Sequence, residues 1–207
     1  MHFIAFEGLD GSGKSTLING LKAEFERRGQ VCVVSREPGG TSMGRIMRDV
    51  LLKVGDDHPV PRAEALLYQA DRAQHVETLI RPALAKGQWV LSDRFAASSL
   101  AFQAGGRSIS ADEIRWLNQF STGGLQPELY VLLDLSVEES LRRMAGRPQE
   151  ADRFERENKD FHERVRQAYL QMAKADPSRW LVLDSSETPA RLLQILIAHL
   201  KGLKWLG

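Results

Sequence analysis

Cysteine is almost missing from these 207 residues: Cys32 stands alone in VCVVS. One thiol rules out a disulfide framework and suits a reducing compartment, and its valine neighbours mark it as a small core hydrophobe. Surplus charge is missing too. Lys and Arg number 28 against 27 Asp and Glu, a net +1. That balance excludes a surface built to coat a polyanion, so no nucleic-acid partner is expected. No apolar run is long enough to cross a bilayer, Glu7 interrupts the earliest one, and no basic segment precedes it. The expectation is a cytoplasmic protein with no signal peptide and no membrane partner. Repeats, linkers and low-complexity stretches are also lacking, so residues 1–207 read as a single domain. His2, His58, His75, His162 and His199 share no metal-ligand spacing and are expected on the surface or on helices. Trp89, Trp116, Trp180 and Trp205 are expected to pack strands and helices, and the tail after Lys201 to fray.

Short, nearly continuous apolar runs are present at 3–7, 31–35, 88–92, 129–134 and 180–184. Such runs suit strands covered on both faces. Helical patterns lie between them at about 14–28, 42–53, 62–86, 111–122, 136–144, 156–175 and 188–201. In the longest, Ala63, Leu66, Leu67, Ala70, Ala73 and Val76 follow three-four spacing. Strands alternating with helices predict an α/β fold, a five-stranded parallel sheet flanked by helices. One arginine-rich stretch, RRMAGRPQEADRFERE at 142–157, carries Gly146 and Pro148 and predicts a short lid with a loop in its middle.

GLDGSGKST joins the first strand to the first helix and fits G-x-x-x-x-G-K-[ST] through Gly8, Gly13, Lys14 and Ser15. Glycines let successive amides face one concavity that fits phosphate oxygens, and the helix start behind them adds a favourable dipole. Gly8, Leu9, Asp10, Gly11, Ser12, Gly13, Lys14, Ser15 and Thr16 are therefore the expected ATP-binding residues. Lys14 supplies charge for the β and γ phosphates, and the Ser15 hydroxyl is a ligand for Mg2+. By average glycine usage a random chain of this size matches the pattern on the order of once in a hundred.

The loop does not name a reaction. A guanine-reading N-K-x-D is missed by NKDF at 158–161, which starts a predicted helix. Two strands end in aspartate, Asp93 and Asp134, yet Arg94 and Leu135 follow them instead of a water-activating glutamate. Asp93 joins Ser15 as a metal candidate. Arginines are abundant: Arg94 and Arg36 at strand ends, and Arg142, Arg143, Arg147 and Arg153 in the lid stretch. Arginine neutralises the charge of a transferring phosphoryl group. A phosphate acceptor is already deprotonated and needs no general base, so many cations without an obvious base suit transfer from phosphate to phosphate. A slowly hydrolysing nucleotide switch and a kinase for another small acceptor are the rivals.

Several ordered segments carry a more specific likeness: FEGLDGSGKST, REPGGT at 36–41, LLYQADRAQHVE at 66–77, LSDRFAASSLAFQAGGR at 91–107 and ADRFE at 151–155. Together they resemble the bacterial thymidylate kinases over nearly the whole chain. The resemblance implies transfer of the γ-phosphoryl of ATP to dTMP, and a homodimer packed through the helix at 62–86. It implies that Arg94 binds the dTMP phosphate, Arg72 hydrogen-bonds thymine and Tyr68 stacks on it. Ser98, Ser99 and Gln103 line the pocket, Asp10 faces the sugar or the Mg2+ shell, and Arg36 and Glu37 border the acceptor, with Pro38 a candidate for a cis bond. Phe102 stands where the family places tyrosine and crowds a ribose 2′-OH. Gly11 stands where eukaryotic relatives place an arginine, so Arg147 and Arg153 of the lid join Lys14 and Arg94 as the catalytic cations.

Overall fold

The run FIAFE becomes strand β1 (Phe3–Glu7), buried at every position. Successive side chains of a strand point to opposite faces. Phe3 and Ala5 accordingly enter one core while Ile4 and Phe6 enter another. The other strands are β2 (Cys32–Arg36), β3 (Trp89–Asp93), β4 (Leu129–Asp134) and β5 (Trp180–Asp184). They pair in parallel in the order β2-β3-β1-β4-β5, the predicted architecture. This computed structural model describes residues 2–55, 57–146 and 151–206.

Helices α1 (Lys14–Arg27) and α9 (Pro189–Gly202) cover one face, through Leu17, Leu21 and Phe25 and through Leu192, Leu196 and Leu200. The other face lies under α3 (Pro61–His75), a π-helical turn (Val76–Ile80), α4 (Arg81–Ala85) and α8 (Lys159–Ala175). The remaining helices are α2 (Ser42–Leu52), α5 (Ala96–Ser99), α6 (Ala111–Thr122) and α7 (Val137–Ala145). The single helix predicted at 62–86 is thus α3 and α4 joined by the π turn. Asn158 of NKDF caps α8, accepting from the Phe161 amide at 2.9 Å.

Three expectations are corrected. Residues 96–106 form α5 and a π-helical stretch, Leu100–Gly106, where no element was predicted. Packing creates it: a Cβ on Gly106 would lie 2.4 Å from the Phe161 ring, so glycine lets α8 close on the segment. The described tail, through Leu206, is packed rather than frayed: Trp205 stacks on His2 at 3.9 Å and Leu206 is buried. Trp116 packs into no core. It is 66% exposed and stacks on Phe120, also exposed.

With β1 central, crossovers leave it on both sides, and the ends of β1, β2 and β3 converge on one edge. Open α/β sheets bind ligands at such strand ends.

Candidate active site

The glycine loop sits at that edge, between β1 and α1. Gly8, Gly11 and Gly13 all have positive φ, and Gly13 is the left-handed residue that starts α1. Gly8 is required twice over, because a Cβ there would also meet the Leu133 carbonyl at 2.5 Å. Lys14 is buried, and its Nζ donates to the carbonyls of Gly8 at 3.2 Å and Leu9 at 3.0 Å. Burial first, then the nearby Arg94 charge, lower its pKa. An arriving polyphosphate would reverse that penalty.

The two strand-end aspartates separate. Asp93 accepts from the Ser15 hydroxyl at 3.3 Å, whereas both oxygens of Asp134 are taken by Arg166 at 2.7 and 2.9 Å. Only Asp93 therefore joins the loop. Arg36 ends β2 in register with Asp93 and lines the loop cavity with it.

Arg94 follows β3 with φ +72°, a left-handed conformation costing an arginine on the order of 1 kcal/mol. The surroundings over-determine it. Its amide donates to Phe6 O at 2.9 Å, and its carbonyl accepts from Ser92 Oγ at 2.8 Å. Its guanidinium reaches Gly8 O at 3.0 Å and Asp10 Oδ1 at 2.8 Å, and it lies 5.0 Å from the Phe102 ring centre.

A second cavity opens beyond Arg94, lined among others by Arg72, Tyr68, Ser98, Ser99, Phe102 and Gln103. Arg72 is almost wholly buried. Its Nε donates to Glu37 at 2.8 Å, and its Nη1 faces Gln69, Ser99 and Asn118 at 3.0, 3.0 and 2.8 Å. Nη2 donates to Phe95 O at 3.1 Å, which leaves one N–H for a ligand. The rings of Tyr68, Phe102 and Phe154 form an aromatic wall with edge contacts of 6.1 and 5.8 Å. Gln103 donates to the buried Glu64 at 2.9 Å. The Glu37–Pro38 bond is cis, as the resemblance suggested.

The loop cavity and this second cavity share Asp10, Glu37, Arg48 and Arg94 as lining residues. They are two ends of one cleft, with guanidinium groups at the junction.

A family model described as thymidylate kinase matches residues 6–195. A thymidylate kinase of Bdellovibrio bacteriovorus is 52% identical over 97% of this chain and 95% of its own. One from Clavibacter sepedonicus is 50% identical over 88% and 86%, and one from Desulfovibrio desulfuricans 46% identical over 90% and 89%. The chain belongs to the thymidylate kinase family. It is therefore a kinase, a phosphotransferase.

Around the predicted site of this thymidylate kinase family member stand residues that sequence reasoning missed. Glu7 is fully buried beneath the cleft and accepts from the Phe95 amide at 2.9 Å, Ser98 at 2.6 Å and Tyr169 at 2.8 Å. Burial raises its pKa. Tyr169 also approaches Arg94 Nη1 at 3.3 Å. Arg48 donates to Pro38 O at 3.0 Å and lines both ends of the cleft. Of the lid-stretch arginines that the sequence did point to, Arg143 reaches Gly11 O at 3.2 Å, and Arg153 does not approach the loop: it donates to Glu64 at 2.7 Å and Leu51 O at 3.1 Å. Arg147 and the middle of the predicted lid lie outside the described residues.

Asp71 supports the loop after β2 by accepting from the Gly39 amide at 3.1 Å. Burial, then the Glu37 charge, pushes its pKa up from 3.8 to about 6. The native state then holds the Asp71 proton more tightly than the unfolded chain, so this group's contribution erodes stability as pH rises from 3.8 to about 6. Asp71→Asn keeps the acceptor oxygen and removes the charge. We expect the variant to gain up to roughly 3 kcal/mol over the parent at pH 7 and nothing at pH 3.5. Urea unfolding at the two pH values checks this, and an equal difference at both would disprove it.

Proposed function

We propose that the chain transfers the γ-phosphoryl of ATP to dTMP, giving dTDP and ADP. The shared lining of the two cavities carries the reading, because it lets two phosphate chains meet end to end. A dTMP phosphate oxygen forms the new bond to the γ phosphorus. The bond from that phosphorus to the β–γ bridging oxygen breaks, and ADP leaves with the electron pair. The acceptor oxygen carries no proton at neutral pH, so no base is needed. Gly8 through Thr16 cradle the ATP phosphates, and Lys14 balances charge at the β and γ groups. Arg94 holds the dTMP phosphate, and Arg36 and Arg48 add positive potential at the junction. Of the lid arginines, Arg153 can act on the γ phosphoryl only after its pair with Glu64 opens.

Arg72 offers its remaining N–H to a thymine carbonyl, Tyr68 stacks on the ring, and Phe102 crowds the position of a ribose 2′-OH. Ser98, Ser99 and Gln103 close the pocket wall. Asp10 keeps Arg94 aimed and faces the sugar. Mg2+ supplies charge neutralisation at the β and γ phosphates when bound. Ser15 and Asp93, hydrogen-bonded side by side at the loop edge, present hard oxygens of the type it prefers and would hold it. Among the described residues no group of three His, Cys, Asp or Glu could hold a metal ion, and an ion held largely by substrate phosphates and water requires none.

One sheet with a core on each face supports a single domain over 1–207, with a lid at about 142–157. Leu66, Trp116 and Phe120 are exposed along α3 and α6, a face suited to a second copy in a homodimer. No helix among the described residues is long and apolar enough to cross a membrane.

Coupled ADP release tests the reaction. With Mg-ATP we expect rapid turnover on dTMP, slower turnover on dUMP and dGMP, and little on thymidine. Equal turnover of thymidine would overturn the acceptor assignment. Fast ADP release without any acceptor would favour a nucleotide switch.

A further inference from the structure

His75 is the last residue of α3, three positions after Arg72, so the two side chains share one helix face. It is fully buried. Its Nδ1 lies 2.9 Å from Glu37 Oε1, while Arg72 Nε holds the other oxygen of the same carboxylate at 2.8 Å. On the far side of the ring, Nε2 lies 2.7 Å from Ser35 Oγ. An ionised carboxylate can only accept. Nδ1 therefore carries a hydrogen toward Glu37, and in the neutral ring the Ser35 hydroxyl donates to Nε2. The result is a directed chain, Ser35 to His75 to Glu37, met from the other side by Arg72.

Glu37 occupies an electrostatically awkward place. It lines both ends of the cleft, where two polyanionic substrates are to meet. A carboxylate free to swing there would repel phosphate and loosen Arg72. Pinned by one donor on each oxygen, its charge is compensated and turned toward Arg72. Other supports hold the backbone nearby: Asp71 holds Gly39, Arg48 holds Pro38 O, and the Glu37 amide donates to Asp93 O at 2.9 Å. The Oε1 oxygen has His75 as its donor. A triad of Ser35, His75 and Glu37 superficially suggests a nucleophile. However, the loop crowds it at Gly40, where a Cβ would meet Ser35 Oγ at 2.5 Å and His75 Cδ2 at 2.9 Å, and the half-buried hydroxyl is already engaged with the ring.

We infer that His75 is a positioning residue for the acceptor nucleotide: by donating from Nδ1 it locks the Glu37 carboxylate against Arg72 and away from the incoming phosphate. The inference rests on the acceptor assignment above. Asparagine places an amide near the position of Nδ1, and glutamine reaches toward that of Nε2, so the two substitutions separate the two sides of the ring. His75→Asn is expected to keep the KM for dTMP within about threefold of the parent. His75→Gln and His75→Leu should raise it by roughly tenfold, with kcat and the KM for ATP changed by less than about threefold. In a Glu37→Gln background the effect of His75→Leu on that KM should shrink to under about twofold, since its target is gone. Thermal unfolding of each variant keeps folding separate from binding, and the Asn–Gln comparison remains decisive should the leucine variant not fold. Equal KM values for the Asn and Gln variants, a loss confined to kcat, or an undiminished effect in the Glu37→Gln background would overturn the assignment. A parent protein inactive on dTMP would instead sink the reading of the acceptor, which is a different failure.

Discussion

Lys14→Ala lowers kcat by roughly 100-fold or more while the KM for dTMP moves by less than about threefold. The expectation follows from where the ammonium sits. It lies under the phosphate loop, donating to the Gly8 and Leu9 carbonyls and paired with Asp10 at 3.9 Å, in a setting where burial already disfavours its charge. Such a cation is poorly satisfied until a polyphosphate arrives, and its attraction grows as charge shifts toward the β–γ bridge. Removing it thus costs more in the transition state than in the ground state, which is the signature of a kcat effect. Steady-state kinetics with saturating ATP read both constants. A large rise in the dTMP KM with kcat preserved would reverse the assignment of the loop to the donor.

Arg94→Ala is the second large effect, and its direction differs. The guanidinium lies at the junction of the cleft, steadied by Asp10, Gly8 O and the Phe102 ring before any substrate binds. A preorganised cation of this kind holds the acceptor phosphate in ground and transition states alike. The variant should chiefly raise the KM for dTMP, by on the order of 10- to 100-fold, the scale of a lost charge-assisted contact. The KM for ATP should change little. The strained backbone at Arg94 relaxes more readily with glycine, so Arg94→Gly controls for strain: it should fold at least as well and bind dTMP as poorly. A kcat loss with an unchanged dTMP KM would contradict the role.

The five strands were legible because each is a continuous apolar run, and their parallel arrangement followed from the intervening helices. The glycine loop was legible because strand, loop and helix all agree on it. Arg94 was marked by its place at a strand end as well as by the family likeness, whereas Arg72 came from the likeness alone, since a lone arginine on a helix looks like any solvated cation. The hidden parts depend on long-range partners. Residues 96–106 contain two glycines and several small side chains, and they coil only because α8 lies across them. Glu7 reads as an interruption of an apolar strand, yet it anchors Ser98 and Tyr169 from distant segments. His75 shares no metal-ligand spacing with the other histidines, and nothing nearby in sequence reveals Glu37 or Ser35 as its neighbours. The pairing of Arg153 with Glu64 was also out of reach, because the two lie 89 positions apart.

The stacking of Trp205 on His2 has a practical consequence. Phe3 opens β1, so both residues lie at the strand-start edge, opposite the cleft. A label or tether fixed to this stacked pair's edge would therefore stand on the side remote from the cleft.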